Sequence, residues 1–535
     1  MKVSKIQTTV GVLLVVAILV LINLIANTRF MRLDLTEDKL FSLSDASKEV
    51  VQNLDEPLTV KVFASENLSP QLNDTKRFLN DLLSGYRAYG GGKFRYEFID
   101  PGTDEALEQE AQNYRIPPFQ ENVWEKDELQ LKKVYLGAVF LYEDRQETIP
   151  TLQGAAGLEY NITSLIKRLT NQQSQTVGFL QGHGEPDPTQ QQQPGMNAQA
   201  GAIAQFGNVL QSNYGIENVN LTDAPGVPDN IDVLMIVAPT EAIPEEDQMK
   251  IDQYIMDGGS VAWLLSTVNA DLQNGTATAY RLGLDQMTRN YGFVVNPNLV
   301  ADLNSSMINV QERRGFFTIQ NTIKYPFFPN VNTFNENAIV VENIDMLSLF
   351  FPSSIDTTYA AEKNVNLTPV MYSGPRTLVQ AGTFTINATQ EWQDDLFTRE
   401  HVVLGAMLEG PFPSAFSGME TDEGSVDMVG GGMTAPDGTR MFVMGDGRFI
   451  QDGYLTNPAN VYMLLNAIDW LAGDTDLIAL RGREFTMRTL KEISTAQKQV
   501  WKYVNWFAPP LLAILLGIVY WQIRRNRRYS EELNG

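Results

Sequence analysis

Two apolar segments without charged residues, one near each end of the chain, constrain the fold of this sequence most strongly. Residues 6–26 would span about 30 Å as a helix, which is the thickness of the hydrocarbon core of a bilayer. Residues 506–523 carry tryptophan and tyrosine near both ends, as membrane-spanning helices do at the two interfaces. We therefore expect a transmembrane helix at each end. A cleaved secretory signal is the alternative for residues 6–26, because Lys2 and Lys5 precede them.

The basic residues beside these segments predict on which side of the membrane each end lies. Lys2 and Lys5 precede the first segment, and four arginines among residues 524–528 follow the second. Because short cytoplasmic ends are enriched in lysine and arginine, we expect both termini in the cytoplasm. The bulk of the chain would then lie in the periplasm of a bacterium, anchored in the inner membrane. The absence of cysteine suits such an exported region, since its folding requires no disulfide.

The composition of the 535-residue chain argues against several classes of function. The 64 acidic and 40 basic residues give a formal net charge of −24, which is unlike that of nucleic-acid-binding proteins. The lack of cysteine excludes thiolate metal sites and cysteine nucleophiles, and two histidines are too few for an ordinary zinc site. No glycine-rich P-loop motif ending in Gly-Lys and Ser or Thr is present, so we expect no ATP hydrolysis. The sequence predicts no metal and no cofactor.

The first predicted folded region, residues 29–170, comprises a juxtamembrane segment and an α/β domain. Ser44 is the predicted cap of its first helix. Residues 58–63 and 94–99 alternate between apolar and polar side chains as strands do, and an amphipathic helix between them ends at Gly90. This order is thioredoxin-like, although the chain has no cysteine for a redox motif. The remaining predicted elements are a hairpin and a closing helix, at residues 134–142, 147–151 and 158–169.

The second predicted region, residues 171–480, is a doubly wound α/β domain that carries insertions. Short apolar strands are predicted at residues 176–180, 216–221, 231–237, 261–265 and 441–444. Residues 266–435 are interpreted as insertions on the same sheet, with a separate subdomain as the alternative. The other predicted divisions are an anchor at residues 1–28, a charged helical connector at 481–505, the second transmembrane helix at 506–523 and a basic cytoplasmic tail at 524–535.

Two turns that follow predicted strands are candidate ligand-binding or catalytic loops. Gly182, His183, Gly184 and Glu185 follow the first strand of the second domain, and Asp446 follows its last strand. Ligands of α/β sheets commonly bind at the carboxyl ends of the strands. In the catalytic interpretation, His183 is a base paired with Glu185, and Asp446 lies in the same crevice. In the structural interpretation, these are glycine turns that let the chain leave the sheet, and no nucleophile accompanies them at a recognised spacing.

A series of short motifs occurs in order between and beside the two apolar segments. They are residues 32–44, 179–185, 325–329, 404–416, 443–450, 466–474 and 481–484. In this order they resemble the GldG family, an auxiliary component of an ABC transporter linked to gliding motility. The resemblance covers nearly the whole chain. The second domain is similar to the GIFT type of domain, which is related to class I glutamine amidotransferases. Those enzymes need a cysteine, and this chain has none.

The resemblance implies a non-catalytic subunit that works with an ABC permease and a cytoplasmic P-loop ATPase in the lipid bilayer. It also implies a periplasmic domain that binds a substrate or an envelope partner. With only two spans, this chain would have to find its permease in trans. Two alternatives stay open: a membrane-anchored hydrolase or transferase that uses His183, Glu185 and Asp446, and an envelope scaffold protein.

Overall fold

The computed structural model describes most of the chain between residues 42 and 532. The described ranges are 42–125, 128–152, 154, 157–170, 175–190, 201–222, 224–272, 274–314, 317–388, 390–416, 434–485 and 495–532. The first apolar segment, residues 6–26, lies outside them, as does nearly all of the motif at residues 32–44. The fold is mixed α/β with many sheets. The chain divides into two compact units, Met1–Thr486 and Met487–Gly535.

The first unit begins with a four-stranded sheet. The elements of this part are α1 (Asp45–Gln52), β1 (Leu58–Ala64), α2 (Pro70–Tyr89), β2 (Phe94–Ile99), α3 (Glu105–Asn113), β3 (Phe119–Glu125), β4 (Glu128–Val134), β5 (Leu136–Tyr142), β6 (Arg145–Ile149) and α4 (Leu158–Thr170). The strand order is β2-β1-β5-β6, and β1 runs parallel to β2 but antiparallel to β5. The strands predicted at residues 58–63 and 94–99 are therefore present and adjacent.

The predicted helices α1 and α2 are present, and the side chains on which their prediction rested stabilise them. Helix α2 buries Leu79, Leu82 and Tyr86 on one face, because residues three or four positions apart share a side of a helix. The ring of Tyr86 stacks on that of Phe94 in β2, with centroids 5.4 Å apart. Helix α1 begins as predicted, since the hydroxyl of Ser44 accepts a hydrogen bond from the N–H of Ser47 at 3.0 Å.

Two features of this part differ from the sequence prediction. The strand predicted at residues 134–142 begins two residues later, because β4 ends at Val134 and β5 begins at Leu136, whereas the predicted hairpin is present as β5 and β6. Between β4 and β5, the N–H of Tyr135 donates to Oγ of Ser65 at 3.0 Å, and the N–H of Ser65 donates to the carbonyl of Tyr135 at 3.0 Å. Helix α3 and the β3–β4 hairpin have no counterpart in the prediction, because no regular apolar spacing marks them.

The larger part of the first unit is built on an eight-stranded sheet. Its first elements are β7 (Thr176–Gln181), α5 (Ala204–Gln211), β8 (Gly215–Asn220), β9 (Val233–Val237), α6 (Glu245–Met256) and β10 (Ser260–Leu264). Its last are β23 (Arg440–Met444), α9 (Pro458–Leu471) and α10 (Asp476–Phe485). All the strands predicted in this region are present, with small differences at their ends.

A long insertion separates β10 from β23. Its elements are β11 (Val268–Asp271), β12 (Thr276–Ala279), α7 (Asp285–Asn290), β13 (Val294–Val295), β14 (Asn298–Asp302), β15 (Ser305–Arg314), β16 (Phe317–Val331), β17 (Thr333–Phe334), β18 (Leu347–Ser348), β19 (Ile355–Asp356), α8 (Tyr359–Lys363), β20 (Asn366–Tyr372), β21 (Thr377–Ala381) and β22 (Val403–Glu409). Strands β17, β20 and β22 extend the main sheet, and the others form small two- and three-stranded sheets. The insertion therefore adds to the sheet, as predicted, through these three strands.

The order of the main sheet is β17-β20-β22-β23-β10-β9-β7-β8. Strands β8, β7, β9, β10 and β23 are parallel to one another, whereas β22, β20 and β17 pair antiparallel. Across the sheet, the parallel strands lie in the order β8, β7, β9, β10 and β23, so the second strand along the chain lies outside the first. The strand order thus reverses between β7 and β9, the point at which doubly wound sheets open a crevice.

Both faces of the parallel strands are buried. In β9, Val233 and Met235 join one hydrophobic cluster, and Leu234 joins the other, because successive side chains of a strand point to opposite faces. Ile468 of α9 packs in the first cluster and Ile255 of α6 in the second. Burial on two faces explains why these strands read as continuous apolar runs in the sequence.

The second unit contains one long helix, α11 (Thr495–Glu532). Its segment Gln497–Gln522 has a mean hydropathy of 1.6 and is not buried in the structure. By length and composition, it is the one helix among the described residues that could cross a membrane. The helix runs through the predicted boundaries at residues 505–506 and 523–524, and the first residues of the predicted connector, 481–485, belong to α10.

Candidate functional site

The first predicted loop lies at the carboxyl edge of the main sheet. After β7 the chain turns at Gly182 and Gly184, whose φ angles of 117° and 80° favour glycine. A Cβ atom at position 184 would lie 2.0 Å from Oγ1 of Thr240, so a side chain there would clash. The carbonyl of His183 accepts hydrogen bonds from the N–H groups of Thr240 at 3.0 Å and Glu241 at 2.9 Å. The loop is thereby fixed to the chain that leaves β9.

The imidazole of His183 lies between two buried carboxylates. Its Nδ1 is 3.1 Å from Oε1 of Glu185, and its Nε2 is 3.1 Å from Oδ2 of Asp247 in the first turn of α6. The N–H of His183 also donates to Oε2 of Glu185 at 2.6 Å. The side chains of Glu185 and Asp247 are 1% and 7% exposed. The structure therefore brings His183 and Glu185 together, as the sequence suggested, and adds Asp247.

This cluster continues along α6. Nζ of Lys250 donates to Oδ1 of Asp247 at 3.2 Å, to Glu246 at 3.0 Å and to the carbonyl of Leu221 at 2.8 Å. Burial raises the pKa of the Glu185 carboxyl. Both ring nitrogens of the histidine face carboxylates. The arrangement joins the loop to α6.

Asp446 occupies the turn after β23 and binds backbone groups rather than the histidine cluster. Its carboxylate accepts hydrogen bonds from the N–H groups of Phe350 and Arg448, each at 2.7 Å. Burial raises its pKa to about 6. Strands β9 and β10 stand between β7 and β23, and three inter-strand steps amount to about 14 Å. The structure thus shows no hydrogen bond that links Asp446 to His183 or Glu185 among the described residues.

A second polar cluster lies in the core beside α4, α9 and α10. Nη2 of Arg481 donates to Oδ2 of Asp469 at 2.8 Å and to the hydroxyl of Tyr160 at 2.5 Å. Its Nη1 donates to Oδ1 of Asn466, and the hydroxyl of Tyr214 donates to Oδ1 of Asp469. The guanidinium also lies 4.5 Å from the centroid of the Tyr160 ring, within reach of a cation–π interaction. Arg481 and Asp469 are each 1% exposed.

Burial controls the protonation of this cluster. It raises the pKa values of Asp469, Tyr160 and Tyr214, so both phenols stay neutral near pH 7. Burial lowers the pKa of Arg481, but the charge of Asp469 outweighs this and raises it above its ordinary value. The pair is therefore an ionised arginine held by a carboxylate inside the core.

Only an indirect signal of the second cluster is present in the sequence. Asn466, Asp469 and Arg481 lie in the motifs at residues 466–474 and 481–484, but the motifs assign them no role. This signal is a charged or amide side chain on the apolar face of a predicted helix. Such a side chain becomes buried and therefore needs a polar partner. In the part of the chain that the structure describes, no group of three or more acidic, histidine or cysteine side chains is placed to hold a metal ion.

Comparison with known proteins identifies the larger part of the chain. Residues 174–467 match the model of a family described as an ABC-type uncharacterized transport system. The chain belongs to this ABC-type transport family. The match covers more than half of the 535 residues and includes both polar clusters except Tyr160, Asp469 and Arg481. Residues 37–141, in the part with the four-stranded sheet, match a domain of unknown function.

The relatives of this transport-family chain are distant. It is 21% identical over 512 residues to an uncharacterized protein of Borreliella burgdorferi, covering 92% of this chain and 94% of that protein. Among solved structures, the N-terminal domain of mmIFT52 is 12% identical with a TM-score of 0.34, covering 55% of this chain and 97% of that one. The exo-beta-1,4-mannosidase Op5Man5 from Opitutaceae bacterium strain TAV5 is 10% identical with a TM-score of 0.22, covering 74% and 49%. These low scores support no functional argument.

Proposed function

We propose that this chain is a non-catalytic auxiliary subunit of a bacterial ABC transporter of the GldG type. The observation that carries the proposal is the match of residues 174–467 to the transport family. In this role the chain is held in the cytoplasmic membrane by residues 6–26 and by α11, with both termini in the cytoplasm. Its folded region lies in the periplasm and binds a substrate or an envelope partner. The permease and the P-loop ATPase are separate subunits.

The composition and exposure of α11 support the membrane part of this proposal. Its large apolar side chains between Val500 and Trp521 are exposed, and Trp501, Trp506 and Trp521 lie near the two ends of the apolar segment. Such side chains would be removed from water if they lay in lipid or packed against another membrane helix. We infer that α11 packs beside the permease.

Purification of the tagged full chain in a mild detergent tests the complex. We expect an ABC permease and a P-loop ATPase to co-purify with it, identified by mass spectrometry. A matched variant, Gly517→Leu, places a large side chain on α11 where the structure has open space, so the chain itself should stay folded. If Gly517 faces the permease, the permease should no longer co-purify with this variant. Recovery of neither subunit with the native chain would contradict the proposal.

The cysteine-free sequence offers a direct test of the proposed topology. Single-cysteine variants Ser212→Cys and Ser530→Cys each carry one thiol, because the chain has no other. Ser212 lies in the folded region, and Ser530 lies beyond the apolar part of α11. In intact cells with a permeable outer membrane, an impermeant maleimide should label the first variant only. Labelling of Ser530→Cys without lysis would contradict a cytoplasmic carboxyl terminus.

The alternative of a hydrolase or transferase is tested at His183. Replacing His183 with alanine is expected to lower the free energy of unfolding by about 2 kcal/mol, because Glu185 and Asp247 each lose a buried hydrogen-bond partner. Transport-complex assembly should persist. The matched control is His401→Ala, since His401 is exposed and should change stability by less than about 0.5 kcal/mol. Loss of function with unchanged stability and assembly would instead favour catalysis by His183.

A further inference from the structure

A large polar cleft lies at the amino edge of the main sheet, opposite the loops considered above. Its volume is about 870 Å³, within the range of small-molecule sites. One wall is a stripe of α4 that includes Tyr160, Ser164 and Lys167, at the spacing that places side chains on one helix face. The other wall includes Thr176 at the start of β7 and Asp232 just before β9.

The buried arginine cluster forms part of the cleft floor. Tyr160, Tyr214 and Asp469 line the cleft, and all three are hydrogen-bonded within that cluster. Arg481 donates to Tyr160 and Asp469, and Asp469 accepts from Tyr214, so the floor needs little rearrangement when a ligand binds. A site held in this way binds with a smaller loss of side-chain entropy.

The cations that line the cleft already have partners. Nζ of Lys167 lies 2.7 Å from Oδ1 of Asp474 and 3.4 Å from Oδ2 of Asp476. Arg168 donates to the carbonyl of Ser212 and lies 3.8 Å from Glu147. An anionic ligand would therefore have to break these interactions before it could use either positive charge.

The acids that line the cleft are less fully compensated. Asp229 and Asp232 are exposed, and neither forms an ion pair with a described residue. Oδ2 of Asp232 accepts a hydrogen bond from the N–H of Thr176 at 2.7 Å, which fixes its orientation. The negative charge that remains available in the cleft thus comes from these two carboxylates.

A buried hydroxyl gives an independent sign of a missing polar partner. Ser164 is 5% exposed and lines the cleft, yet its Oγ has no hydrogen-bond partner among the described residues. Buried hydroxyls are normally paired, so an unpaired one in a cleft wall marks a position where a ligand or an ordered water supplies the partner. Asn213 and Asn230 add neutral donors and acceptors nearby.

We propose that this cleft is a binding site for a small organic cation that carries amine groups. Asp229 and Asp232 would bind the charge, while the Ser164 hydroxyl and the amides would bind polar groups of the same ligand. Its place is unusual, because doubly wound sheets generally hold ligands at the carboxyl edge. The inference does not depend on the proposed transporter role, since the binding belongs to the isolated chain.

The test is a titration of the purified full chain in detergent with tri-lysine at fixed ionic strength, followed by calorimetry. Native protein should bind at one site. The double variant D229N/D232N should bind about tenfold more weakly, which is about 1.4 kcal/mol, because two exposed ion pairs with the ligand are lost. Asparagine at position 232 can still accept the hydrogen bond from Thr176, so the fold should persist.

Two controls separate a built site from general attraction to an acidic protein. The double variant E241Q/E245Q removes two exposed charges after β9 and at the start of α6, on the opposite edge of the sheet, and should bind tri-lysine as the native chain does. Tri-glutamate should show no saturable binding. Equal weakening in both double variants, unchanged binding in D229N/D232N, or saturable binding of tri-glutamate would each overturn the proposal. Complex formation is measured separately, so failure of one leaves the other unaffected.

Discussion

Replacing Arg481 with methionine is expected to lower the free energy of unfolding by about 3–5 kcal/mol. Arg481 and Asp469 are each 1% exposed, so the substitution leaves an unpaired carboxylate in the core. It also removes the hydrogen bonds from the guanidinium to Tyr160 and Asn466. A loss of this size is a large share of the stability of most folded domains. Urea unfolding of the full chain in detergent, followed by tryptophan fluorescence, measures it.

A partly exposed arginine provides the matched control. Nε of Arg440 lies 3.2 Å from Oε1 of Glu409, and its side chain is 24% exposed. Arg440→Met should therefore cost only about 1 kcal/mol. The double variant R481M/D469L removes both buried charges and should recover part of the loss, because no carboxylate is left unpaired. Arg481→Met with an effect no larger than that of Arg440→Met would contradict a buried ion pair as the source of stability.

The second large effect is a dependence of stability on pH through Asp446. Burial raises the pKa of this carboxyl from 3.8 to about 6 in the folded protein. Between these values the folded state holds a proton that the unfolded state has lost, so stability falls as pH rises through this window. The stabilisation is complete below about pH 4 and lost above about pH 6, and it amounts to about 3 kcal/mol.

The measurement compares the native chain with Asp446→Asn from pH 4 to pH 7. Asparagine carries no ionisable proton, so the stability curve of the variant should lack this fall, whatever its absolute stability. Glu185 and Asp469 also have raised pKa values and slope the same way, but they act equally on both proteins. Asp437→Asn is the control, because Asp437 is exposed and its removal should leave the slope unchanged. Parallel curves for Asp446→Asn and the native chain would disprove the assignment to Asp446.

The sequence predicted best those elements whose residues sit close together along the chain. Apolar spacing identified helix α2 and the continuous strand β9, because burial on one or two faces leaves a regular pattern. It also placed His183 and Glu185 at the end of β7, since a glycine turn after a buried strand is a local signal. It placed the start of β5 two residues too early, at Val134, because the break at Tyr135 depends on Ser65, which lies far away in sequence.

The partners of the buried charges could not be predicted in this way. In the sequence, Asp247 is an ordinary acidic residue at a helix start, and only the fold shows that it faces His183. Tyr160 and Arg481 are 321 positions apart, and nothing local to either indicates the other. The cleft at the amino edge has the same origin, because its walls come from α4, from the starts of β7 and β9, and from α10.

The contact between α4 and α10 also bears on the order in which the chain can fold. Leu477 and Leu480 of α10 pack on Tyr160 of α4, near the start of the connection to the main sheet. During synthesis from the amino terminus, α4 emerges long before α10. Tyr160 can therefore contact α10 only after all the strands of the eight-stranded sheet have been synthesised. The last helix of the first unit thus covers a residue of α4 that is synthesised before the main sheet. A nascent or truncated chain that ends before residue 476 would expose this apolar surface to chaperones and proteases.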